Sequence, residues 1–148
     1  MRSSFILLCF CIVCVFIALQ SCQTKAELHF ARYYTNGSQV YTQHCANCHG
    51  SNGEGLGRLY PPLTDSNYLR KNRSSLACMV KYGINDTIEV NHILFSGKMP
   101  AETHLPDMDI AAVITYITNS FGNKQGLYSV ENAGADLKGC PQENGNKQ

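Results

Sequence analysis

The segment Cys45-Ala46-Asn47-Cys48-His49 concentrates the reactive side chains of this 148-residue chain. Two thiols at this spacing can each form a thioether to one vinyl group of a single porphyrin. The adjacent imidazole can then bind the iron as its proximal ligand. Cys-x-x-Cys-His is the attachment pattern for c-type haem. Zinc is the competing use of Cys45, Cys48 and His49. It is disfavoured because a closed zinc site needs four spaced ligands and the chain has no second Cys-x-x-Cys. The glycines after His49 suggest a phosphate cradle, but the strand and lysine of a P-loop are missing. Glycine there suits backbone passing close to a flat ring.

Iron that stays six-coordinate and transfers electrons needs a second strong ligand. Met99, in Ser96-Gly97-Lys98-Met99-Pro100, is the best candidate. Gly97 and Pro100 suit an extended loop, and a thioether paired with imidazole favours ferrous iron and raises the potential. The rivals are Met79, Met108, His92 and His104. Met79 reads as core filler on an apolar helical face, and Met108 falls in the first turn of a helix. A lone histidine is more often a surface or satisfied core residue.

The elements that position these groups read as short helices. Asn36-Gly37-Ser38 looks like a loop break and cap that starts a helix running to about Cys45. Further helices are expected at 65–69, 74–82 and 89–95, with Tyr60-Pro61-Pro62-Leu63 a stiff extended segment. The clearest helix begins at Pro106, with Asp107 and Asp109 in its first turn and Ile110, Val113, Ile114 and Ile117 at helical spacing. Residues 123–148 are rich in Gly, Asn, Gln and Lys and read as a loose polar tail, pinned at Cys140.

Arg2 and the apolar run from Phe5 to Leu19 read as a secretion signal, too short for a comfortable membrane span. Leu19-Gln20-Ser21-Cys22 resembles a bacterial lipobox, which implies cleavage after residue 21 and lipid on Cys22. An ordinary signal peptide or an uncleaved anchor is the alternative. The expected organisation is a signal at 1–21, a spacer at 22–35, a haem domain at 36–122 and the tail at 123–148. Cys9, Cys11 and Cys14 leave with the leader, and Cys45 and Cys48 hold haem. Cys78 and Cys140 remain, an even pair in an oxidising compartment, where a disulfide is expected; two buried free thiols are the alternative. The formal net charge is +1, which gives no basic field for nucleic acid.

The chain resembles the small monohaem class I cytochromes c over residues 36–122, in the manner of a bacterial lipoprotein-type branch. Gly37 and Tyr41 stand eight and four positions before the first motif cysteine, and Val113 and Tyr116 stand three apart on the last helix, as in that family. The resemblance implies an all-α cytochrome c fold around one covalently attached haem, with crossed N- and C-terminal helices. It implies that the Pro61 carbonyl accepts the Nδ1–H of His49 and that Leu63 packs on the porphyrin. With His49 and Met99 as iron ligands, the chain would be an electron carrier and not an enzyme. Its expected setting is the periplasmic side of a bacterial membrane. Expected partners are a quinol-oxidising complex and a terminal oxidase or reductase. A dedicated subunit of a dehydrogenase, oxidase or reductase, and a haem gas sensor, are the alternatives.

Overall fold

The computed structural model describes residues 24–141. Cys22 and the expected leader lie outside the described residues. The chain divides into two compact units, residues 1–31 and 32–148. In the first, residues 24–31 open helix α1 (Lys25–His44). Thr24 and Glu27 cap it reciprocally: the Thr24 N–H donates to the Glu27 carboxylate at 3.0 Å and the Glu27 N–H donates to Thr24 Oγ1 at 3.2 Å. No helix of the described residues is long and apolar enough to cross a membrane.

The second unit continues α1 and adds α2 (Ala46–His49), α3 (Ser66–Lys71), a 3-10 turn (Arg73–Ser75), α4 (Leu76–Tyr82), α5 (Asp107–Ile117) and α6 (Val130–Lys138). Helix α5 is its hub. Ile110 to Thr115 are all buried, as is Ile117, so this helix is surrounded by protein rather than laid on a surface. Asn36-Gly37-Ser38 does not start a helix; it lies inside α1. Glycine in a helix costs only about 0.5–1 kcal/mol against alanine, and here it serves a crossing. A Cβ at Gly37 would lie 2.0 Å from the Ala112 carbonyl oxygen and 2.8 Å from Tyr116 Cβ. Tyr41 packs on Tyr116 and Phe121, with ring centroids 5.3 and 5.4 Å away.

Two further expectations fail. The helix expected at 89–95 is an antiparallel hairpin, β1 (Ile88–Val90) and β2 (Ile93–Phe95), with Val90 opposite Ile93. Asn91 and His92 link the strands at φ 56° and 60°. A two-residue link with both residues at positive φ matches the right-handed twist of paired strands, and three residues on each side are too few to show a period. The fold is thus mostly helical with one small sheet. The tail is pinned at Cys140 as expected, but its described residues, 123–141, are packed rather than loose. Tyr128 and Ala133 are buried, and Ser129 and Asn132 form a reciprocal cap at the start of α6. The Tyr128 N–H donates to Thr115 Oγ1, which in turn donates to the Tyr128 carbonyl, both at 3.0 Å. Arg73 donates to the Leu127 carbonyl at 3.0 Å and lies 5.3 Å over the Tyr128 ring. Cys140 is bonded to Cys78 on α4, with Cα atoms 5.5 Å apart.

Candidate haem site

A tight turn gathers the reactive groups. The Cys45 N–H donates to the Tyr41 carbonyl at the end of α1, and the N–H groups of Cys48 and His49 both donate to the Cys45 carbonyl. Three reactive side chains are therefore displayed within one helical turn. Neither Cys45 nor Cys48 is in a disulfide, and both are partly exposed. Burial pushes the Cys45 thiol up to about 12, with Glu102 and Cys48 adding to the effect. It is protonated at neutral pH and a poor nucleophile toward disulfides.

His49 is buried. Its Nδ1 lies 3.0 Å from the Pro61 carbonyl. A carbonyl only accepts, so Nδ1 bears the proton and Nε2 keeps its lone pair. Burial lowers the imidazole below its ordinary 6.5, against the opposing pull of the Pro61 bond. Neutral imidazole with a free Nε2 is the form that binds a metal.

Cys45, His49 and Met99 line a common cleft. Its deep part has Leu63, Met79, Val80, Val113 and Ile117 in its walls. Its outer part shares Cys45, His49, Pro61 and Met99 and adds Cys48, Leu59, Lys98 and Glu102. The inner walls are apolar, and the charged groups stand at the mouth.

Met99 is braced by backbone. Its N–H donates to the Ile84 carbonyl at 2.9 Å, and the Ile84 N–H donates back at 3.0 Å. A Cβ at Gly83 would meet the Met99 carbonyl oxygen at 2.4 Å. The same loop is tied down at Glu102, whose N–H donates to the Val80 carbonyl at 3.0 Å. The Glu102 carboxylate lies 3.1 Å from His44 Nδ1. Nothing local in the sequence marks Gly83, Ile84 or Glu102 as site residues. They act through long-range pairings that leave no local pattern.

Among the rivals, Met79 packs against the hydrophobic core, as expected, and also lines the cleft. Met108 is 46% exposed and lines neither part. His104 is exposed, and the His92 side chain is 97% exposed, 3.5 Å from Glu89. Among the described residues no cluster of three or more His, Cys, Asp or Glu could hold a metal ion. The site therefore fits a flat apolar group fixed at two thiols and bound by one imidazole: apolar walls, two unpaired cysteines at the edge, and a neutral His49 with Nε2 uncommitted.

The cytochrome c family profile matches residues 34–120. A cytochrome c-552 from Thermus thermophilus is 35% identical over 92 residues, which is 60% of this chain and 70% of that protein. The cytochrome c subunit of a quinone-type alcohol dehydrogenase from Gluconobacter oxydans is 31% identical over 103 residues. The cytochrome subunit of a fructose dehydrogenase from Gluconobacter japonicus is 31% identical over 101 residues. These alignments cover 68% and 66% of this chain, but only 21% of each dehydrogenase subunit. With a profile match over more than half its length, this chain belongs to the cytochrome c family, electron carriers that hold haem c by covalent attachment.

Proposed function

We propose that this cytochrome is exported and tethered by lipid on Cys22, and that it passes single electrons between membrane redox proteins on the periplasmic side. In this reading the haem domain begins near residue 36, and Cys45 and Cys48 anchor one haem. His49 and Met99 would bind its iron. The observation that carries the reading is that one apolar cleft is lined by Cys45, by His49 with its Nδ1 proton committed to Pro61, and by Met99.

Haem iron supplies a one-electron couple when bound. The chain's own residues set its surroundings. The Pro61 carbonyl orients the His49 ring and raises the basicity of Nε2. The Ile84 pairing holds the Met99 loop against the cleft, so that both ligands can be kept through the redox cycle. The apolar inner walls exclude water, which keeps reorganisation small. Leu59, 53% exposed, borders the mouth and offers an apolar rim for a partner. Docking through so small a rim is weak and transient, and a lipid tether offsets this by raising the local concentration. The proposed partners are a quinol-oxidising complex as donor and a terminal oxidase or reductase as acceptor.

A second reading is favoured by the dehydrogenase cytochrome subunits among the relatives: a dedicated electron module of one enzyme. Stoichiometric co-purification with a catalytic subunit separates the two.

The test is an optical spectrum of the mature holoprotein, oxidised and reduced, beside that of Met99→Ala. The expected result is a low-spin c-type spectrum in the native protein and a high-spin, carbon monoxide-binding one in the variant. A spectrum that Met99→Ala leaves unchanged removes Met99 as ligand.

A further inference from the structure

Pro61 holds the proximal imidazole, but what holds Pro61 is not obvious. Pro61 and Pro62 have no N–H, so this segment can be fastened only through its carbonyls and the N–H of Leu63. Both kinds of fastening are present. The Leu63 N–H donates to the Gly53 carbonyl at 2.8 Å. The Leu63 carbonyl accepts from Asn123 Nδ2 at 2.9 Å.

Asn123 is built for this contact. It is 2% exposed. Its second amide proton goes to the Ile117 carbonyl at the end of α5, at 2.8 Å. Its Oδ1 accepts from Ser66 Oγ, which fixes which way the amide points. Both N–H groups are thus spent, one on α5 and one on the segment that carries the Pro61 carbonyl. We propose that Asn123 is a positioning residue for the proximal ligand. It pins Leu63 to α5, sets the place of the Pro61 carbonyl, and through it sets the strength of the His49 Nδ1–H bond. This rests on His49 being the iron's axial ligand.

The structure provides its own control. Asn119, four residues earlier, is also a clasp. Its Nδ2 donates to the Thr115 and Gly126 carbonyls, at 2.7 and 2.9 Å. Its Oδ1 accepts from the N–H groups of Gln125 and Gly126, at 3.1 and 2.8 Å. It fastens the C-terminal segment and makes no hydrogen bond to Pro61, Pro62 or Leu63.

The experiment compares native holoprotein, Asn123→Ala, Ser66→Ala and Asn119→Ala. Two quantities are read: hydrogen exchange of the His49 Nδ1 proton by NMR in the reduced, diamagnetic state, and the midpoint potential. Loosening the Nδ1–H bond makes imidazole a weaker donor to ferric iron, so the potential rises. Asn123→Ala should speed exchange at least tenfold and shift the oxidised-to-reduced ratio by up to tenfold, which is about 59 mV for one electron. Ser66→Ala, the milder change, should move both the same way by less, and it decides the matter if Asn123→Ala does not fold. Asn119→Ala should lower stability and leave both readouts in place. Unchanged exchange and potential in Asn123→Ala or, failing its folding, in Ser66→Ala, overturns the proposal. So does an equal shift in Asn119→Ala, which would make the effect one of general loosening. If the native His49 ring carries no haem-shifted resonances, the ligand assignment itself falls, and this proposal with it.

Discussion

Gly37→Ala sets two rules of protein chemistry against each other. Gly37 lies inside α1. Helix propensity alone says that alanine there should stabilise by about 0.5–1 kcal/mol. The packing says the reverse. The added Cβ would lie 2.0 Å from the Ala112 carbonyl oxygen, 2.6 Å from its carbon and 2.8 Å from Tyr116 Cβ. Two of these atoms are backbone of α5, so no side chain can swing away. Restoring ordinary contact requires the two helices to separate by roughly 1 Å. Overpacking of a well-filled core costs about 1–3 kcal/mol, and a clash with the backbone of a buried helix belongs at the upper end.

Subtracting the propensity gain leaves a net loss of about 2 kcal/mol. For a domain of this size that is a fall in Tm of about 8 °C. The displaced helix also carries Val113 and Ile117, which line the cleft, so the absorption spectrum should broaden. Urea unfolding of the holoprotein, followed by circular dichroism, measures the loss. The comparison is Gly134→Ala, inside α6, where an added Cβ meets nothing within 4 Å. There propensity acts unopposed, and a gain of about 0.5–1 kcal/mol is expected. A Gly37→Ala protein as stable as the native one, or more so, refutes the crossing argument.

Replacing both Cys78 and Cys140 by Ser opens a loop with a sequence separation of 62. Chain entropy puts the loss near 4 kcal/mol; denaturant unfolding under non-reducing conditions checks it, and a loss below about 1 kcal/mol refutes it. Tyr128 predicts an alkaline weakness. Burial first, then the bond and charge of Asp136, raise its hydroxyl above the ordinary 10.0, with Arg73 opposing. The unfolded chain gives up this proton near pH 10 while the folded protein keeps it. The benefit is therefore complete below pH 10, and stability falls above it by up to about 1.4 kcal/mol per pH unit. Thermal melts between pH 9 and 11 should show a shallower decline for Tyr128→Phe, with Tyr41 and Tyr68, which burial also raises, contributing to the remaining slope; an unchanged slope contradicts the assignment.

The cofactor motif was legible because its chemistry is local. Cys45, Cys48 and His49 fall within one turn, and no distant residue is needed to recognise them. The helix from Asp107 was legible too, because Ile110, Val113, Ile114 and Ile117 repeat at helical spacing over eleven residues. Failures came where the deciding contact is remote or the element is short. Local pattern reads Gly37 as a break; only the family resemblance implied the close helix crossing that Ala112 beside it bears out. The hairpin offers three residues per strand, too few to separate a period of 2 from 3.6. The C-terminal segment hides its order because its anchors, Tyr128, Ala133 and Cys140, are widely spaced. The ties between them are polar, through Arg73, Thr115 and Asp136, in a stretch whose composition suggests solvent.

That last error bears on how the cleft is held. The face a residue turns to a cofactor cleft is lost to packing against protein, so a short helix in the cleft wall leans on its other faces for stability. Helix α4 has seven residues, too few to persist alone in water. Leu76, Met79 and Val80 face the cleft. Ala77 is fully buried, and Cys78 is fastened to Cys140 beyond α6. The turn before it is held by Arg73, which donates to Gln125 and to the Leu127 carbonyl. Helix α5 is tied to the same segment through Thr115 and Tyr128. The residues after α5 thus grip both cleft-wall helices from behind. Deleting residues 127–141 should therefore loosen the Met79 and Val113 walls together, and would be seen as faster exchange of amides in α4 and α5 while those of α3 keep their protection. Loss of protection confined to the deleted segment's immediate neighbours on α5 would show that α4 stands without it.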